Sequence, residues 1–128
     1  MSAYRSGCPI ASALDLLGDK WSLVILRSMI MGASSYSDML GGPEGISTNI
    51  LAERLKHLES EGVIHRKRKR QGQQPGEYSL TAKGAALLPV LQELARWGEA
   101  HIPGRWKPPE RFYVAQPDDV PLRNDASS

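Results

Sequence analysis

Residues 46–80 contain one capped amphipathic helix, a glycine stop and two short strand-like segments that flank a basic loop. Ser47 can cap the helix by accepting a hydrogen bond from an amide one turn later, and Gly62 can end it in the left-handed conformation. Apolar residues at helical spacing predict a buried stripe along this helix. The stripe consists of Ile50, Leu51, Leu55 and Leu58. This order of elements is typical of a winged helix-turn-helix.

The opposite face of this helix carries short or charged side chains that can donate and accept hydrogen bonds. A helix that enters the DNA major groove with its N-terminus first brings its first two turns to the base edges. The predicted base-contacting residues are Ser47, Thr48, Asn49, Glu53 and Lys56. Arg54 can equally read a base or form a salt bridge at the edge of the core. The alternative for the whole face is plain solvation, because every amphipathic helix has a polar side.

The segment between the two predicted strands is strongly basic. Residues 47–76 carry seven basic and three acidic side chains, a net charge of +4, whereas the whole chain has a formal net charge of +2. Lys and Arg on a hairpin beside a polar helix can contact DNA phosphates, although a charge run is otherwise often only solvated. The predicted wing contacts are Lys67, Arg68, Lys69, Arg70 and Gln73. Arg66 is expected either to join them or to attach its strand to the protein body.

Three helices are predicted before the capped helix. The first covers about residues 8–17, and Gly18 interrupts the chain after it. Asp19 is placed to cap a second helix that starts at Lys20 and runs to Met31. A short helix around residues 36–40 then completes the helix-turn-helix pair.

A long helix is predicted after the second strand, from Thr81 as its cap to about Trp97. Pro89 lies within it and is expected to kink or split it. The apolar surface of this helix exceeds what one small core needs, so a homodimer interface is predicted there. The interface residues are Leu87, Leu91, Leu94 and Trp97. The predicted fold is therefore α+β and mainly helical, a winged helix-turn-helix DNA-binding domain with extra N- and C-terminal dimerisation helices.

Residues 1–100 are predicted to form this single domain, and residues 101–128 a Pro-rich C-terminal tail. The tail is interpreted as extended. Four of its side chains are apolar enough to pack on the body instead. These are Trp106, Phe112, Tyr113 and Val114.

Motifs along residues 7–99 resemble the HxlR family of bacterial transcriptional regulators, in order and at matching spacing. The matching stretches are Cys8-Pro9, Gly18-Asp19-Lys20-Trp21, Leu26-Arg27, Gly45-Ile46-Ser47, Leu51, Arg54-Leu55, Leu58-Glu59, Gly62-Val63-Ile64, Arg66, Glu77 to Thr81, Gly84, Leu87 to Pro89 and Trp97-Gly98. The resemblance implies a homodimer that binds pseudo-palindromic DNA, usually as a local repressor or activator. The chain departs from the family pattern at Ser35-Tyr36, where an Arg-Phe pair is usual. It also departs at residues 73–76, where Pro-Pro-Arg-Val is frequent.

Cys8 is the one cysteine of the chain. Some members of the family that the chain resembles use a cysteine at this Cys-Pro position to sense oxidants or electrophiles, and a helix N-terminus can stabilise the reactive thiolate. The alternative is a small, buried apolar side chain. Either way, a single cysteine excludes an internal disulfide and a multi-cysteine zinc site.

Other function classes have little support in the sequence. His57, His65 and His101 lack the spacing of metal ligands, so no metal and no cofactor is expected. Enzyme motifs such as a nucleophile elbow or a phosphate-binding loop are missing, so the chain is not expected to be an enzyme. Without a membrane-length apolar run or a signal-peptide pattern, a cytoplasmic protein is predicted. The expected partners are double-stranded DNA, a second copy of the chain and a small-molecule effector; the alternative is a winged helix that contacts only proteins.

Overall fold

The computed structural model describes residues 4–67 and 77–120, which form helices packed around a small antiparallel hairpin. The helices are α1 (Pro9–Leu17), α2 (Ser22–Ile30), α3 (Tyr36–Leu40), α4 (Thr48–Ser60), α5 (Ala82–Ala85), α6 (Leu88–His101) and α7 (Glu110–Val114). The strands are β1 (Ile64–Arg66) and β2 (Tyr78–Leu80), and a 3-10 turn covers Pro117–Asp119. The predicted mainly helical winged helix-turn-helix is confirmed.

The core forms where α4 meets α2, the hairpin and α6. From α4 it takes Leu51, Leu55 and Leu58, as the apolar spacing predicts. Ile50 was wrongly assigned to this stripe, since 38% of it is exposed. Ile50 precedes Leu51 by one residue, which places it about 100° around the helix, and so it lies at the edge of the buried face.

The hairpin is fixed at its base to the core. Ile64 lies opposite Leu80, and both are buried, whereas Arg66 and Tyr78 form the next pair on the same face. On the outer edge of β2, the Tyr78 amide donates to the Ser34 carbonyl at 2.8 Å. These contacts hold the hairpin beside α4, at the position of a wing.

Two predicted helix boundaries, one before the hairpin and one after it, are confirmed. Gly62 ends α4 with a positive φ of 76°, which suits glycine because it lacks a Cβ. Pro89 splits the predicted long helix: α5 ends at Ala85, and Pro89 lies in the first turn of α6. Proline has no amide hydrogen to donate to the carbonyl four residues earlier, so the helix ladder is interrupted there.

The segment after α6 is attached to the body. Phe112 and Val120 belong to the core. The buried Gln92 amide donates to the carbonyls of Phe112 and Ala115 at 2.9 and 2.8 Å. Because residues 110–114 are helical, the extended interpretation is wrong for them. The proposed boundary at residue 100 stays a prediction.

Two of the four apolar side chains named for this segment are at least partly buried, and two are exposed. Phe112 is buried, and Tyr113 is partly buried, with its hydroxyl donating to Glu99 at 2.8 Å. Trp106 and Val114 remain exposed. Within residues 4–67 and 77–120, no helix combines the length and the apolar character that a membrane span requires.

Asp19 connects the start of α2 to the middle of α4. Its carboxylate accepts from the amides of Trp21 and Ser22, both at 2.9 Å, and forms an ion pair with Arg54 at 3.3 Å. The capped amides place the first helical residue at Ser22, so the predicted start at Lys20 was two residues early. Arg54 is thus a salt-bridge residue, which was one of its two alternatives.

The same contacts lower the pKa of the Asp19 carboxyl below its ordinary value. Burial alone raises this pKa, but hydrogen bonds from Ser22 and Trp21 and the charge of Arg54 outweigh that effect. A lowered pKa means that the charged carboxylate stabilises the fold. This stabilisation is complete above the pKa of the unfolded chain, about 3.9, and is lost as the pH falls through the folded-state value.

We predict that Asp19→Ser lowers the free energy of unfolding by about 1 kcal/mol at pH 6, because serine can cap α2 but cannot pair with Arg54. Urea denaturation from pH 6 to pH 3 should show this difference shrinking below about pH 4. Asp118→Ser removes an exposed carboxylate and should have little effect at any pH. An Asp19→Ser difference that stays constant down to pH 3 would contradict the role of the charge.

Candidate DNA-contacting surface

The outer face of α4 is polar and open to solvent. Asn49, Glu53 and Lys56 are exposed on the side opposite the buried leucines, and Ser47 and Thr48 are exposed at the helix start. All five predicted recognition residues therefore lie on one accessible face, which runs from the cap at Ser47 to Lys56, the ninth of the thirteen residues of α4. Contact of these residues with DNA stays a prediction.

The start of α4 is positioned by hydrogen bonds. The Ser47 hydroxyl accepts from the Ile50 amide at 3.2 Å, which confirms the predicted cap. From α3, the Tyr36 hydroxyl donates to the Thr48 carbonyl at 2.8 Å. Ser35 caps α3 in a reciprocal capping box with Asp38. Both residues of the Ser35-Tyr36 departure thus orient the helix pair.

A bidentate ion pair that the sequence analysis missed holds the turn between α3 and α4. Arg27 of α2 contacts the two Glu44 carboxylate oxygens at 2.7 and 3.0 Å. The Arg27 guanidinium lowers the pKa of Glu44. The sequence contains an indirect signal for this contact, namely a lone acidic residue in an otherwise Gly- and Pro-rich turn.

The base of the hairpin presents a limited part of the predicted wing. Lys67 is exposed, and its amide donates to the Glu77 carbonyl at 2.7 Å, which extends the β1–β2 ladder. The Arg66 guanidinium lies 5.8 Å from the ring centroid of Tyr78 on the neighbouring strand, and which of its two predicted roles applies stays a prediction. The remaining wing residues lie outside the described part of the chain. These are Arg68, Lys69, Arg70 and Gln73.

Helix α1 is mostly exposed. Of its nine residues, only Leu17 is buried, whereas Ile10 and Leu14 are 71% and 51% exposed. The C-terminal end of α1 contacts α4, where His57 Nε2 lies 2.9 Å from the Leu16 carbonyl oxygen. This contact was not predicted, because it joins residues far apart in the chain.

Helix α6 exposes an apolar stripe. Val90, Leu94 and Trp97 recur at spacings of four and three, and they are 45%, 50% and 60% exposed. Leu94 and Trp97 were predicted for the dimer interface together with Leu87 and Leu91. Leu91 is buried in the core, and Leu87 is partly buried against it. The surface that α6 can offer to a second chain therefore centres on Leu94 and Trp97.

Cys8 lies at the N-terminus of α1 with an exposed thiol. Its carbonyl accepts from the Ser12 amide at 2.9 Å. The buried-packing alternative therefore does not apply within one chain. Among residues 4–67 and 77–120, no three His, Cys, Asp or Glu side chains are grouped so that they could hold a metal ion.

Comparisons with known proteins agree with this architecture. The HTH-type transcriptional regulator YybR of Bacillus subtilis (strain 168) is 32% identical over 97 residues, which cover 76% of this chain and 78% of YybR. The crystal structure of PA1607 superimposes with a TM-score of 0.74 at 34% identity, covering 84% of this chain and 76% of that one. The redox regulator HypR in its oxidized form superimposes with a TM-score of 0.67 at 32% identity, and the match covers 73% of this chain and 97% of HypR.

The HxlR-like helix-turn-helix family model matches residues 16–105, which include both helices of the helix-turn-helix pair, the hairpin strands and α6. This match covers well over half of the chain, and it agrees with the motifs, the winged-helix fold and the similarity to YybR. The chain belongs to the HxlR family of helix-turn-helix transcriptional regulators.

Proposed function

We propose that this regulator binds double-stranded DNA sequence-specifically, as a homodimer on a pseudo-palindromic operator in the cytoplasm. The observation that carries the proposal is the exposed polar face of α4, opposite the buried leucine stripe. Contacts from α2, α3 and the preceding turn fix the orientation of this face. A winged helix that served only protein contacts would be expected to expose an apolar face here, and this one is polar.

Helix α4 and the hairpin have different roles in the proposed complex. The first turns of α4 enter the major groove, where Asn49 can pair with adenine, Glu53 can accept from cytosine and Lys56 can donate to guanine. The hairpin contacts phosphates through Lys67 and the basic residues of the segment 68–76. Phosphate contacts strengthen binding to any sequence, whereas base contacts select the operator.

Dimer formation would cover two exposed apolar surfaces. A helix of nine residues is marginal in water by itself, and α1 buries little of its surface against its own chain. The exposed stripe on α6 also lacks an apolar cover among the described residues. A two-fold dimer that buries α1 and this stripe would place two copies of α4 in successive major grooves.

Replacing single recognition residues should affect specific binding alone. Asn49→Ala or Lys56→Ala should weaken operator binding by about 1–3 kcal/mol and leave random DNA nearly unchanged. Lys67→Ala combined with Lys69→Ala should weaken binding to the operator and to random DNA alike. The slope of the logarithm of the binding constant against the logarithm of the salt concentration should flatten by about one unit per lost phosphate contact. The measurement is a salt-series titration on DNA from beside the gene.

Arg111→Ala removes an exposed cation of α7 that is not among the proposed DNA contacts, and it serves as the matched control. It should change neither the affinity nor the salt slope. If the α4 variants weakened all DNA equally while the Lys67 and Lys69 change affected only the operator, the two assigned roles would be reversed.

A charge on the α6 stripe should disrupt the dimer. We expect the wild-type chain to sediment as a dimer at micromolar concentration and Val90→Asp to shift toward monomer, because the carboxylate would be buried in an apolar interface. Val114→Asp makes the same change at an exposed position of α7 and should leave the dimer intact. A wild-type chain that remains monomeric with and without DNA would refute the dimer.

Cys8 is proposed to modulate DNA binding. A chain with one cysteine cannot form an internal disulfide, so its thiol would respond through an intersubunit disulfide, a mixed disulfide or an adduct. Modification at one end of α1 can alter α4 through the His57–Leu16 contact at the other end. Support comes from the exposed thiol and from the similarity to the redox regulator HypR.

A mild oxidant should therefore change operator affinity in the wild-type protein and have no effect in Cys8→Ser. His57→Phe keeps the thiol but removes the hydrogen bond to α1, so it should retain the thiol reaction and show a smaller change in affinity. Equal responses of the wild-type protein and Cys8→Ser would eliminate the sensing role.

A further inference from the structure

A groove of about 870 Å³ lies between α2, α6 and the segment that follows α6. Small-molecule sites typically have volumes of about 300–1,000 Å³ and mainly apolar walls with few polar groups. The groove fits this description. Its main apolar walls are Val24, Met31, Leu91, Leu94, Trp106 and Phe112.

The charged groups of the groove are mostly basic. Arg27 and Glu44 neutralise each other through their bidentate pair. Arg105 and Lys107 also line the groove, and among the described residues neither forms an ion pair with a carboxylate. One rim of an apolar groove therefore carries two positive charges without a partner of opposite sign.

We propose that this groove binds a small amphipathic organic anion and that its occupancy regulates DNA binding, the second clause resting on the function proposed above. The aromatic or branched aliphatic body of the ligand packs against the apolar walls. Its acidic group lies at the rim, where Arg105 and Lys107 supply the complementary charge.

The C-terminal end of the wall formed by residues 104–112 is held in place. Phe112 is buried, and the Gln92 amide binds the backbone at Phe112 and Ala115. A wall that is already ordered lowers the entropic cost of binding a ligand. Residues 106–112 also lie beyond the match to the family model, so this part of the groove is not included in the shared family region.

The groove touches both elements that the proposed function requires. Pro43 and Glu44 belong to the turn before α4, and Leu94 belongs to the exposed stripe of α6. A ligand that packs in the groove therefore contacts the turn before α4 and the stripe of α6 at the same time. Because a ligand shifts DNA affinity only through differential binding to two states, any difference in these contacts between the DNA-bound and free forms provides the coupling.

Two fluorescent probes that share one ring system test the site. 1-Anilinonaphthalene-8-sulfonate carries an anionic group, and N-phenyl-1-naphthylamine is its neutral counterpart. The anionic probe should bind the wild-type chain about three- to tenfold more tightly than the neutral probe, and added salt should reduce this preference. Arg105→Gln combined with Lys107→Gln should abolish the preference, whereas Trp106→Ala should weaken both probes.

Lys20→Gln combined with Arg111→Gln removes two exposed cations that do not line the groove, and it should keep the wild-type preference. Equal binding of the two probes to the wild-type chain, or equal effects of the two double variants, would overturn the anion site. If neither probe binds the wild-type dimer, a second copy of the chain covers the groove and the proposal is wrong.

DNA titration is run separately, with and without the anionic probe. If the probe binds at the groove but leaves operator affinity unchanged, the proposed regulation of DNA binding is wrong, whereas the proposed anion site remains supported. Failure of the chain to bind DNA at all, with the probe results as expected, would refute the proposed function and leave the anion site intact.

Discussion

The carboxylate of Asp19 is the contact on which the rest of the candidate surface depends. It satisfies two amides at the start of α2 and pairs with Arg54 in the middle of α4. A single ionised group thereby connects α4 to the start of α2. Arg54 also pairs with Glu53 at 3.2 Å, and the outer face beside this pair carries Asn49, Glu53 and Lys56.

Other contacts fix the remaining degrees of freedom of this surface. Tyr36 sets the distance between α3 and α4, and Arg27 holds the turn between them through Glu44. The Ser34 carbonyl accepts from Tyr78 and holds the hairpin from its outer edge. Such preorganisation supports the proposed DNA contact, since groups that are already ordered lose less conformational entropy when they bind.

Local signals in the sequence predicted most of the fold, and long-range contacts account for the differences. The caps at Ser47 and Thr81, the left-handed Gly62 and the split at Pro89 depend on a few neighbouring residues. By contrast, the attachment of the C-terminal segment depends on Gln92, some twenty residues away from its acceptors. The partner of Arg54, the Arg27–Glu44 pair and the His57–Leu16 contact likewise join distant segments, and helical periodicity contains no information about them.

The most direct test of the account is a footprint of the protein on DNA from beside its gene. Two symmetric copies of α4 should protect two major-groove faces about 10–10.5 base pairs apart, or a multiple of that spacing. Asn49→Ala should lose this protection at concentrations where the Arg111→Ala control retains it. A protected region without two-fold symmetry, or one unchanged by Asn49→Ala, would contradict the assignment of α4 as the base-reading helix of a dimer.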